Sequence, residues 1–385
     1  MAKKSYTLSV LLLSGLIAGI TLSAATQAAE SSSFLDMVDV YGDFRFRFEQ
    51  DWDSTKSDGS ERSDRARARI RGRIGLKITP NEFFEINTRL RTGAKDSQQS
   101  PHWTIADFSG NSTGTHAVVF DKWYGKLKKD HLWVWGGRNG LPIWKQNELL
   151  WDDDVTVIGG ATGIKDYQLG AGKFSVNAGY VRLPDGMRED HGDMPFAQLV
   201  YSTRLNNIAL TVAGGLLALD GDSSTPDVLR QGNGNRDYTI WVGNLQARTE
   251  ISGLPVSLGF DVMHNSEDYS VAELAGTPAG TTDDDTDGYV IQVRLGENSN
   301  QGDWLIGYSY ADIETLAVNA SYAQDDWMRW GSSTQTDASD FHGHEFRAAY
   351  VLPGKIKVLA RFYSVESNNN PQDGNRFRID FNKKF

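Results

Sequence analysis

The sequence predicts an all-β chain that closes into a transmembrane, antiparallel, up-and-down β-barrel of about 16 strands. Three observations predict it. Apolar and polar residues alternate with period two through most of the chain. One apolar leader opens it, and no second long apolar run follows. The last residue, Phe385, ends an alternating segment.

The leader comes first. Lys3 and Lys4 precede the apolar run Leu8 to Ala25, and "TQA" leads into Ala29 and Glu30. This is the layout of a secretory signal peptide cut after Ala28, so residues 1–28 are a leader and residues 29–385 form the barrel. The leader holds two lysines and no acid, so the exported part is more acidic still than the −11 of the whole chain. Such a balance argues against nucleic acid as a partner. With no Cys, the protein has no disulfide, thiolate metal site or Cys nucleophile. Apolar residues make up only 39%, yet there are 11 Trp, 14 Tyr and 17 Phe. That combination suits a protein meeting outer-membrane lipids with every second residue.

The first strand is "VDVYGDFRFRFE", from Val38 to Glu49. Phe44, Phe46 and Phe48 share one face, and Asp43, Arg45, Arg47 and Glu49 share the other. The second contains "RARARIRGRI". Arg65, Arg67, Arg69, Arg71 and Arg73 fall on one face and continue to Lys77; Ala66, Ile70, Ile74 and Leu76 fall opposite. In a bilayer each Arg on the lipid face would cost about 2–4 kcal/mol near the midplane, so this ladder must face a lumen. "TPNE" turns the chain, and the third strand adds Arg89 and Arg91 to the same wall. Glu85 joins the lumenal acids.

Further strands are expected near 119–127, 132–138, 157–166, 173–182, 195–203, 208–218, 238–248, 255–264, 288–295, 304–311, 342–352, 356–364 and 376–385. Short links alternate with long polar ones at 51–63, 94–118, 139–156, 183–194, 219–237, 265–287, 312–341 and 365–375. Short turns at one rim and long loops at the other is the asymmetry of an outer-membrane barrel. The final strand, "RFRIDFNKKF", ends in Phe385, which resembles the signal read by the barrel insertion machinery.

The stretches "YGDFRFRFE", "FDKWYGKLK" and "GGRNGLPIWKQNELLWDDDV", with the terminal Phe strand, resemble the bacterial putative-porin family of outer-membrane channels. More distantly they resemble alginate-export-type barrels. The resemblance implies a water-filled channel for small solutes, with homo-oligomers an option. It also implies that the long loop after the fifth strand folds into the pore as a constriction. Here that loop is 139–156, with Pro142, Trp144, Trp151, Asp152, Asp153 and Asp154. Acids there, facing the arginine ladder, would place a transverse field across the narrowest section. Passive diffusion of small hydrophilic solutes is the expected function. Arginines in a narrow low-dielectric lumen favour anions, while the loop acids are screened by salt.

Other constellations are weaker. "DDDTDG" offers Asp283, Asp285 and Asp287 as calcium ligands, but the twelfth position of an EF-hand would be Arg294, so no metal or cofactor is expected. His342 and His344 fall on the lipid face near the outer rim, as interfacial aromatics. A barrel hydrolase needs Ser, His and a carboxylate together, and the seven His are scattered, so the chain is read as a non-enzyme. A structural or adhesive barrel is the alternative; it would call for a filled lumen.

Overall fold

A computed structural model describes residues 34–187, 189–221, 236–329 and 338–385. The leader and its cleavage site lie outside the described residues. Sixteen antiparallel strands close into one barrel. They are β1 Val38–Trp52, β2 Arg65–Asn81, β3 Phe84–Thr92, β4 Val118–Lys129, β5 Leu132–Gly140, β6 Thr156–Leu169, β7 Gly172–Asp185 and β8 Glu189–Leu205. Then follow β9 Ile208–Leu219, β10 Tyr238–Ile251, β11 Leu254–Asn265, β12 Asp287–Gly296, β13 Trp304–Ile313, β14 Phe341–Leu352, β15 Ile356–Ser367 and β16 Asp373–Lys384.

Each strand pairs with its sequence neighbours, and β1 pairs with β16 to close the seam. Phe46 sits opposite Phe381 on the outer face, and Arg47 opposite Asp380 on the inner face. Gly42 and Phe385 exchange backbone hydrogen bonds at the end of that seam, 3.0 and 3.1 Å long. A Cβ at Gly42 would lie 2.3 Å from the Arg73 carbonyl oxygen and 2.6 Å from the Phe385 ring, so only glycine fits there.

Alternation decides which residues meet lipid. Phe44, Phe46, Leu76 and Phe381 are exposed on the outer surface, where hydrocarbon covers them. Phe174, Val176, Ile70 and Phe377 are half-buried among their neighbours on that surface. His342 and His344 also point outward, and the His344 ring lies against Tyr308 and Tyr310 at centroid distances of 6.0 and 5.2 Å. At one rim the turns are tight. Asp130, Gly170, Asn206 and Ser252 open two-residue hairpins with φ between 52° and 59°. In outer-membrane barrels the short-turn rim is the periplasmic one.

Two of the expected long loops prove shorter. The strands flanking 183–194 run on to Asp185 and resume at Glu189, and those flanking 365–375 run to Ser367 and resume at Asp373. A span needs only about 9–11 residues, so these strands project above the bilayer and stay paired there. The loop between β3 and β4 carries a short strand of its own, Trp103–Asp107, paired with Arg67 to Ile70 of β2. It covers the part of β2 that the shorter β3 leaves without a partner, as an unpaired edge in hydrocarbon would not be tolerated.

Candidate functional site

Arg45, Arg47, Arg65, Arg67, Arg69, Arg71, Arg73, Arg89 and Arg91 all point inward from β1, β2 and β3. They do not form a bare row of cations. Arg65 pairs with Asp107 at 2.7 Å. Arg67 pairs with the fully buried Glu49, which Arg69 also approaches to 3.5 Å. Arg71 and Arg73 share Asp43 at 2.8 and 2.7 Å. Arg47 is held by Asp380 at 2.7 Å and Arg89 by Asp121 at 2.5 Å. Arg91 donates to the Ser97 carbonyl oxygen at 2.8 Å. Lys77 sits near the periplasmic rim on Asp39, half exposed. Arg45, like Arg91, has no ion pair among the described residues: its Nε donates to Asn382 Oδ1 at 2.6 Å. Glu85, on the same wall, accepts from the Tyr124 hydroxyl at 3.0 Å.

The loop after β5, residues 141–155, folds into the lumen. Trp144 N donates to Gln198 Oε1, and Gln198 Nε2 returns a bond to the Trp144 carbonyl, both 2.7 Å. Gln146 and Asn147 reach across to Asp261 on β11, at 2.7 and 2.5 Å. Arg294 on β12 donates to the Gln146 carbonyl at 3.1 Å. The loop then returns to the opposite wall, where Asp154 lies 2.8 Å from Arg73 and 3.4 Å from Arg71. Of the three acids, Asp154 meets the ladder. Asp153 pairs with Lys145 at 2.8 Å, and Asp152 accepts from Asp154 N at 2.6 Å.

A second loop folds inward, between β13 and β14, which sequence reasoning took as an ordinary polar loop. Its segment Leu316–Ala323 is apolar in the midst of polar sequence, a signal that was available. Leu316, Val318, Tyr322, Trp327 and Met328 are all buried to 2% exposure or less. They pack with Leu149, Trp151 and Val155 and with inward residues of the outer barrel half, among them Leu183, Met194, Ile240, Phe341 and Tyr363. Trp151 stacks on Tyr322 at 5.0 Å and 18°. So Trp151 belongs to an apolar core, while Trp144 lines a water-accessible recess with Trp133 and Lys126. Asp152 N donates to the Tyr322 carbonyl at 2.7 Å, and Gln99 Nε2 donates to the carbonyls of Ala320 and Ala323. Three loops thus interlock. From the second inward loop Asp326 reaches Arg361 at 2.9 Å, Arg47 at 3.4 Å and Arg378.

Beneath this layer a cavity of about 580 Å³ opens toward the short-turn rim. Its wall side holds Arg45, Arg71, Arg73, Lys357 and Arg361, and its loop side holds Glu148, Asp152, Asp154, Asp325 and Asp326. Beside it a recess of about 710 Å³ presents Arg204, Arg248 and Arg294. Burial alone would raise the Asp154 carboxyl, but Arg71 and Arg73 together hold it below the usual carboxylate range. Asp326 is likewise held well down against burial by Arg378, Arg47 and Arg361. Asp152 moves the other way: burial and then Glu148 push it well above the ordinary value. Burial also raises Glu148, helped by Asp153, and Asp325, helped by Asp326.

Asp283, Asp285 and Asp287 do not converge. Asp285 accepts from Thr282 N and Asn369 Nδ2, and Asp287 from His264 at 2.8 Å. Among the described residues no group of three or more His, Asp or Glu is arranged to hold a metal.

Residues 26–181 match the family model described as putative porin. Outer-membrane barrels of known structure superpose on 90–93% of the chain. The fold is that of these outer-membrane barrels. OprB of Pseudomonas putida is 11% identical with a TM-score of 0.58, over 93% of this chain and 97% of that one. OmpT of Vibrio cholerae in its trimer form gives 12% and 0.51, over 90% and 99%. OmpF of Salmonella typhi in complex with daunomycin gives 14% and 0.51, over 90% and 97%. No curated protein matches the sequence. The family match over residues 26–181 takes in the whole arginine ladder and the 141–155 loop; the second inward loop lies beyond it.

Proposed function

We propose that the protein, once its leader is cut after Ala28, is a passive diffusion channel for small hydrophilic solutes with a weak preference for anions. The observation that carries this reading is a closed 16-strand barrel with charged cavities of about 580 and 710 Å³ opening at its periplasmic rim. Barrels of this strand number leave room for an aqueous passage.

The anion preference rests on cations without carboxylate partners. The ladder from Arg65 to Arg73 is largely neutralised by Asp107, Glu49, Asp43 and Asp154. Arg45, Lys357, Arg204 and Arg248 have no ion pair among the described residues, and they line the two cavities. Unpaired charge inside low-dielectric walls focuses the field that a permeating ion meets.

His264 bonds Asp287 and His342 bonds Asn368. By likeness to the trimer form of OmpT, three copies are the assembly to look for. Reversal potential and conductance of the purified protein in planar bilayers test the channel and its selectivity together.

A further inference from the structure

Resting on that channel reading, we propose that the cavity beneath the loop layer is a binding subsite for small zwitterionic solutes, meaning amino acids and short peptides. The ammonium group would sit on the loop side and the carboxylate on the strand wall.

The charges without partners point to it. Glu148, Asp152 and Asp325 line the cavity, come from two different loops, and form no ion pair among the described residues. Asp152 is only 4% exposed. One of its oxygens accepts from Asp154 N, and the other accepts no hydrogen bond among the described residues. On the strand side Arg45 bonds Asn382, and Lys357 bonds Asn298 at 3.1 Å; neither forms an ion pair among the described residues. Their neighbours on both sides are paired: Asp154 with Arg73, and Asp326 with Arg361.

A buried charge is stable only when compensated. Here the acids without an ion pair come from the loops and the cations without one from the strands, and among the described residues no ion pair joins the two sets. A simple cation would satisfy the loops and leave Arg45 alone, and a simple anion would do the reverse. A molecule carrying both groups satisfies both walls. The cavity volume, about 580 Å³, is that of a small-ligand site.

The probes are β-alanine, propionate, propylammonium and propionamide, which share a three-carbon skeleton and differ in charge. Each is added to wild-type channels in planar bilayers while the ionic current is recorded. We expect β-alanine to reduce the current with saturation, at about tenfold lower concentration than propionamide. Arg45→Gln and Asp325→Asn should each abolish that saturation while the barrel remains heat-modifiable. Asp325 is less buried than Asp152 and forms no ion pair among the described residues, so the second variant tests the proposal if the first does not fold. Equal effects of β-alanine and propionamide would overturn the proposal. So would a block by propylammonium that matches β-alanine and survives Arg45→Gln, which marks a plain cation site. Absence of any ionic current would remove the channel reading itself, and the proposal with it.

Discussion

Asp154, in the loop after β5, lies 2.8 Å from Arg73 in the middle of β2. The contact joins residues 81 positions apart and lays an acidic loop against a basic wall. It also fixes how much of the ladder's charge a permeating ion feels, since Asp154 neutralises part of Arg71 as well.

Asp154→Asn should therefore release positive charge into the lumen. We expect the anion-to-cation permeability ratio to rise about fivefold, which corresponds to ~1 kcal/mol for one unit charge at close range in a wet pore. Reversal potentials in a salt gradient measure it.

Acidification should shift selectivity the same way. Asp152, Glu148 and Asp325 are raised by burial, so they protonate on the way down from neutral pH before ordinary carboxylates do. Asp154 and Asp326 stay ionised through that window, held down by arginines. The loop side loses charge first, and anion preference should grow as pH falls from neutral toward the ordinary carboxylate range. Stability carries two opposite signs. The raised groups penalise neutral pH, and that penalty is relieved as pH falls through their raised values. The lowered groups stabilise above the ordinary carboxylate value and lose that contribution only below it. Heat-dissociation temperature in detergent should thus peak at mildly acidic pH.

Asp326→Asn should loosen the second inward loop. Three arginines, Arg47, Arg361 and Arg378, lose their shared partner. Breaking one partner of a buried ion cluster costs about 3–5 kcal/mol. A lower heat-dissociation temperature and faster proteolysis within 314–329 are the readouts.

Replacing Arg67, Arg69 and Arg71 together by Gln should move selectivity toward cations. Glu49 is completely buried and would keep only Arg378, at 2.9 Å, of its partners. Unlike a change at a wet surface, this one should also lower stability. The bilayer current and the detergent melt report the two effects separately.

Deleting Phe385 should reduce the amount of heat-modifiable barrel in outer-membrane fractions. Its backbone closes the seam with Gly42, so both assembly and the last strand pairing lose a contact. Unchanged levels would show that the seam and the insertion machinery tolerate its loss.

Much of the fold was legible because period two carries side and depth together. Arg47 and Phe46 are neighbours in sequence and face opposite solvents, and their strands needed no other evidence. The 141–155 loop was legible through its acids. The second inward loop was not, because its role rests on pairings such as Asp326 with Arg47, separated by 279 residues. Its short apolar run of Leu316 to Ala323 is a visible signal of burial, but it names no partner. Where strands continue past the bilayer, as at Asp185 and Asp373, loss of hydrophobic alternation was mistaken for a loop. The charge state of the ladder was hidden for a further reason. Counting arginines gives no partners, and Asp107, Asp121 and Asp380 reach it from other strands and loops.

The most direct measurement is the reversal potential of the purified wild-type protein in a planar bilayer separating two potassium chloride concentrations. The account predicts a stable ionic conductance whose reversal potential lies on the chloride side of zero, moving further that way in Asp154→Asn. No conductance, or a reversal potential on the potassium side, would contradict it.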